Sequence, residues 1–165
     1  MSNHISSWLN DSFDLNKTVV LTIRADGTIP VASARVSAWS NSACPTLPTL
    51  IEALDRTVVE MTQAKKHRAT KFIAFLGGDQ SACVAGHFHA LLQFAPDIDQ
   101  QDYIERFAAR WQAKVSEAFK THELRTSVYS EPLKNTVAYS SYCQRYEGPT
   151  IARDSKVVMS RSLRM

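Results

Sequence analysis

A chain of 165 residues is long enough for one domain with a proper core and too short for two comfortable ones. With 44% hydrophobic and 21% charged residues it has the composition of an ordinary soluble globular protein, which argues against a disordered or fibrous chain, and no stretch approaches the length of a membrane span. The net charge of +3 suits a polyanionic partner without demanding one; the three cysteines, Cys44, Cys83 and Cys143, form no Cys-x-x-Cys pair and suggest neither a disulfide framework nor a structural zinc site.

Residues 1–16 are polar with scattered apolar anchors, Trp8, Leu9, Phe13 and Leu15, and read as a lead-in that packs locally. They have neither the basic nor the apolar region of a secretory leader, so a cytoplasmic protein is expected. Lys17 to Arg24 alternates, with Val19, Leu21 and Ile23 on one face and Thr18, Val20, Thr22 and Arg24 on the other, and predicts a strand that ends in a turn at Asp26-Gly27. Residues 28–40 fit either period two or a weak helix, with a Ser and Val content that leans towards strand. After a loop from Asn41 to Pro48, Thr49-Leu-Ile-Glu52 is a capping-box pattern, and Leu50, Leu54, Val58 and Met61 recur at helical spacing as far as Ala64. The basic run Lys65, Lys66, Arg68 and Lys71 is expected at the end of that helix, where cations suit its dipole.

Thr70 to Leu76 predicts a second strand, Gly77-Gly78-Asp79 a turn, and residues 85–94 its hairpin partner, stopped by Pro96. Asp99 is a cap for a long helix on which Tyr103, Phe107, Trp111, Val115 and Phe119 form a core-facing stripe. Leu124 to Ser130 reads as a further strand and Leu133 to Tyr146 as a last helix, terminated by Gly148-Pro149; beyond it lies a basic tail with Arg153, Lys156, Arg161 and Arg164. The order β-β-α-β-β-α-β-α predicts a single α+β domain over residues 1–165 with its core over 17–147: an antiparallel sheet of about five strands with helices packed against it.

Two features carry chemistry. In Gly86-His87-Phe88-His89-Ala90 the alternation of an extended chain puts both imidazoles on one face, where they could grip one cation or simply be satisfied core histidines. In the last predicted helix, Tyr139, Tyr142 and Tyr146 fall on one stripe at spacings of three and four, either as half-buried packing residues or as phenols available for nucleophilic attack, with Arg145 beside them to stabilise an anion or hold a phosphate.

In sequence order, Val19-Val-Leu-Thr-Ile-Arg24, His87-Phe88-His89 and Tyr142-Cys-Gln-Arg145-Tyr146 resemble the three motifs of HUH-type rolling-circle replication initiators, the Rep endonucleases, over about residues 17–147. The resemblance implies a ferredoxin- or RRM-like HUH endonuclease fold. It implies that His87 and His89 hold a divalent ion, Mn²⁺ or Mg²⁺; many members add a Glu or similar ligand from the preceding strand, but here that region reads Leu76-Gly77-Gly78-Asp79, a departure that leaves Asp79 as the candidate third ligand and Gln93 or Glu147 as poorer choices. It also implies that Tyr142 attacks a DNA phosphate and that Tyr146 is a second attacking tyrosine. Arg145 stands where the family usually has lysine. The activity implied is nicking and joining of single-stranded DNA at a replication origin through a 5′-phosphotyrosine, with Arg24, Lys134 and the run Lys65, Lys66, Arg68 as candidate phosphate contacts. The chain has no Walker A sequence, so unwinding would fall to a separate host or accessory helicase. The alternatives are an HUH transposase or relaxase, a non-catalytic RRM-like nucleic-acid-binding module, and a structural or metal-sensing domain using the histidines alone.

Overall fold

The computed structural model describes residues 2–26, 28–31, 34–37, 47–77, 87–120, 123–134 and 157–163. Its elements are helix α1 (Ser2–Ser12), strands β1 (Thr18–Asp26), β2 (Thr28–Val31) and β3 (Ala34–Ser37), helix α2 (Leu47–Gln63), strands β4 (Lys71–Gly77) and β5 (His87–Gln93), helix α3 (Gln100–Phe119), and strands β6 (Arg125–Pro132) and β7 (Val157–Met159). Five strands form one antiparallel sheet in the order β6-β1-β5-β4-β7, while β2 and β3 pair as a separate hairpin. The fold class is therefore α+β, with an open five-stranded antiparallel sheet and, among the described residues, three helices. None of these helices is long and apolar enough to cross a membrane.

One face of the sheet is built by the alternation read from the sequence. Leu21, Ile23 and Ala25 from β1, Phe72 and Ala74 from β4, and Phe88, Ala90 and Leu92 from β5 meet the apolar stripes of α2 and α3 in a single core. On α2 the buried residues include Leu50, Leu54, Val58 and Met61; on α3 they are Tyr103, Phe107, Trp111 and Val115. Both sets recur every three or four residues, so one stripe of each helix can be removed from water. Phe107 stacks on Phe72 with ring centroids 5.6 Å apart, and Trp111 meets Phe88 edge-on. Burial pushes the Tyr103 phenol up to about 12, so it stays protonated and donates to the Met61 carbonyl at 3.0 Å.

The expected start of α3 is found as read: the Asp99 carboxylate accepts from the Asp102 N–H at 2.8 Å. Helix α2 starts two residues earlier than its capping box suggests, at Leu47. Thr49 is thus already helical, and Pro48 occupies the first turn, where no backbone donor is needed. The helix also ends at Gln63. Lys65 and Lys66 sit on a separate 3₁₀ turn, Lys65–His67, rather than in the last helical turn.

Two segments depart further from the sequence reading. Residues 2–12 are helical, and Leu9 together with Phe13 is buried against Val20, Ile73, Phe75, Leu91 and Leu133 on the second face of the sheet. The supposed lead-in thus covers part of that face; its few apolar residues sit in a polar sequence and give little periodic signal. Within the supposed basic tail, Val157–Met159 is strand β7, which pairs with β4 and buries Val158 in the main core. Ser160 secures it: its hydroxyl accepts from the Phe72 N–H at 3.0 Å and its own N–H donates to the Phe72 carbonyl at 2.9 Å. The predicted last helix lies outside the described residues from 135 onward.

Candidate metal and nucleic-acid site

The site is built on β5, the central strand of the sheet. Phe88, Ala90 and Leu92 are spent on the helix-covered core, so His87, His89, Leu91 and Gln93 face the other way. The two imidazoles converge. Their Nε2 atoms are 2.6 Å apart, with ring centroids at 4.3 Å and planes at 87°. Both residues are half-buried.

Cross-strand register adds neighbours that no local pattern announces. Thr22 of β1 and Phe75 of β4 flank His89, and Tyr129 of β6 lies beyond Thr22 in the same row. In the next row Gly77 lies opposite His87, and Arg24 pairs with Ser127. Directly paired residues share a face, so Thr22, Arg24, Ser127 and Tyr129 surround the histidine pair on the second face of the sheet. The position of Arg24 is fixed from behind, because the Trp111 indole N–H donates to its carbonyl at 2.9 Å. The far half of the face is occupied by α1. There Gln93 accepts from the Asp14 N–H at 2.7 Å, which removes it as a third ligand.

Electrostatics keep the pair uncharged at His89. Burial, then His87, then the Arg24 guanidinium push its imidazole down to about 4, so it is neutral at physiological pH and can present a nitrogen lone pair. Two neutral imidazole nitrogens suit a borderline divalent cation. Ligation of one ion by both at a right angle needs them about 3 Å apart for bonds near 2.1 Å, a small opening from the observed separation. Among the described residues no third His, Cys, Asp or Glu joins them. No family model, curated protein or solved structure matches the chain.

Of the residues singled out in the sequence, the structure brings together His87, His89 and Arg24. Lys65, Lys66 and Arg68 precede β4, whose other end, Gly77, is the one level with His87; six residues of strand, about 20 Å, separate the basic run from the pair. Lys134 follows Pro132, which is paired with Val19, and so also lies at the far end of the sheet. Asp79, Tyr139, Tyr142, Arg145, Tyr146 and Glu147 lie outside the described residues. Sequence reading overlooked Thr22 and Tyr129 as members of the site. The alternation in β6 already marks Tyr129 as facing away from Val128, but its nearness to a histidine depends on pairing with β1.

The histidines also set the acid sensitivity of the domain. Burial, Lys66 and Arg106 lower the pKa of His67, which is 4% exposed, and His89 is lowered as well. Below the ordinary histidine value near 6.5 the unfolded chain takes up protons that the native one refuses, so stability falls as pH drops towards about 4, where His89 itself protonates in the fold. In metal-chelated protein the thermal midpoint is expected to fall by about 5 °C or more between pH 7 and pH 5. A midpoint that is flat over that range would show that neither imidazole is held neutral by the fold.

Proposed function

We propose that the protein is a metal-dependent nuclease of the HUH type, which nicks and rejoins single-stranded DNA through a covalent 5′-phosphotyrosine. The observation that supports this reading best is the convergence of the His87 and His89 ring nitrogens on the central strand of a five-stranded antiparallel sheet, with Arg24 beside them. Two nitrogen donors fit Mn²⁺ better than Mg²⁺, and Asp79, two residues beyond β4 in the sequence, is the proposed third ligand. When bound, such an ion would draw charge from a scissile phosphate oxygen.

The chain's own groups would do the rest. The Tyr142 phenolate attacks phosphorus in line, the tyrosyl O–P bond forms, and the P–O bond to the departing 3′-oxygen breaks; that oxygen takes a proton and leaves as a 3′-hydroxyl. Arg145 would offset the phenolate charge, and Tyr146, four residues further along the sequence, would serve a second transfer. Because the phosphodiester energy is kept in the tyrosyl ester, the 3′-hydroxyl can reverse the step and rejoin the strand. Leu133, near the end of the described chain before the tyrosines, is buried with Leu91 on the face of the sheet that carries the histidines.

The test is direct. Incubated with Mn²⁺ and labelled single-stranded oligonucleotides from its own replicon, the protein should give a denaturant-resistant protein–DNA band. Tyr142→Phe should abolish the band while Tyr139→Phe leaves it. A wild-type protein that forms no adduct on any such oligonucleotide would leave the non-catalytic nucleic-acid module as the better reading.

A further inference from the structure

We infer that Tyr129 is a stacking platform for an unpaired nucleobase, seating single-stranded nucleic acid beside the histidine pair; the inference deepens the nuclease reading and rests on it for the class of ligand. Tyr129 is 66% exposed, whereas the other aromatic residues of the five-stranded sheet, Phe72, Phe75 and Phe88, are buried. It is nevertheless held firmly. Its strand is paired with β1 along eight residues, and Gln112 of α3 ties the start of that strand down by accepting from the Thr126 N–H and donating to the Leu124 carbonyl, each at 3.0 Å.

What surrounds the ring decides what it fits. Among the described residues its neighbours on the same face are Thr22, Arg24, Ser127, Glu131 and the buried Val20, so the phenol is an exposed apolar plane rimmed mainly by hydroxyls and charges. An apolar protein partner would need a contiguous apolar patch of a few hundred Å², which this is not. A nucleobase has matching chemistry: an apolar π-face to lie on the ring and a polar edge to meet the rim. Charge gives the strand a direction. Glu131 repels phosphate on one side of Tyr129, while Arg24 attracts it on the other, towards the row of His87. A base seated on Tyr129 would therefore lead its backbone past Arg24 and across β1 towards the imidazoles. Two strand spacings, about 10 Å, separate Tyr129 from His89 in the row they share, close enough for the next phosphate along the strand to come within reach of the site.

The experiment measures binding without chemistry. A dye-labelled, mixed-sequence single-stranded DNA of about 20 nucleotides, long enough to cross the sheet, is titrated in EDTA with wild-type protein, Tyr129→Phe and Tyr129→Ala, and unlabelled duplex of the same sequence serves as competitor. Loss of one stacked base predicts an affinity for Tyr129→Ala at least about fivefold weaker, with Tyr129→Phe within about twofold of wild type because the ring face is kept. The exposed position predicts unchanged thermal midpoints for both variants. Four results overturn the inference: no binding by the wild-type protein, equal affinity for the duplex, wild-type affinity in Tyr129→Ala, or equal weakening in both variants, which would assign the role to the hydroxyl. Since no metal and no cleavage enter, failure of the nuclease reading registers in the covalent-adduct assay and leaves this measurement standing.

Discussion

Trp111→Ala is expected to lose about 3–5 kcal/mol of stability, a large share of the roughly 5–15 kcal/mol that holds an ordinary domain together. The side chain is fully buried, meets Phe88 edge-on at 6.5 Å, and donates to the Arg24 carbonyl. Alanine would leave a large cavity under the central strand and strip that carbonyl of its indole donor at the same time. Trp111→Phe keeps most of the apolar volume and loses only the N–H, so a smaller cost of about 1–3 kcal/mol is expected. Urea titration followed by far-UV circular dichroism separates the two, through midpoints in the order wild type, Trp111→Phe, Trp111→Ala. If the alanine variant unfolded within about 1 kcal/mol of wild type, Trp111 would not be the keystone between α3 and the strand that carries Arg24.

His87→Ala and His89→Ala should each reduce Mn²⁺ affinity by about 100-fold or more, since either removes half of the nitrogen donors aimed at one point. Loss of a Lewis acid worth several kcal/mol should lower adduct formation by about 10³-fold, and chelation of the wild-type protein should do the same. Both residues are half-buried and lie off the main core, so the variants should stay folded, with thermal midpoints near wild type. Isothermal titration with MnCl₂ reads the affinity without any assumption about DNA. Undiminished Mn²⁺ binding in both variants would return the pair to the role of ordinary sheet histidines bonded to one another.

Much of the frame was legible in the chain because its signals are local. Period two in Val19 to Arg24 and His87 to Gln93, period three to four in Tyr103 to Val115, and the Asp99 cap each depend on a few neighbouring residues, and each is found as read. Local signals fail where apolar residues are few. In α1 they are sparse within polar sequence, and β7 is three residues of a basic stretch. Both owe their structure to a surface that other elements provide, the second face of the sheet for Leu9 and Phe13, and the edge of β4 for Val158.

The sequence by itself determined that His87 and His89 share a face, because the alternation of an extended chain is a property of the backbone alone. Tertiary structure decided their company: Arg24, Thr22 and Tyr129 are drawn in by the pairing of β1 with β5 and β6, while Lys65, Lys66, Arg68 and Lys134 are left at the opposite end of the sheet. Strand order and register arise from which hydrophobic faces can be buried together across the whole fold, a choice made by long-range packing that no stretch of neighbouring residues encodes.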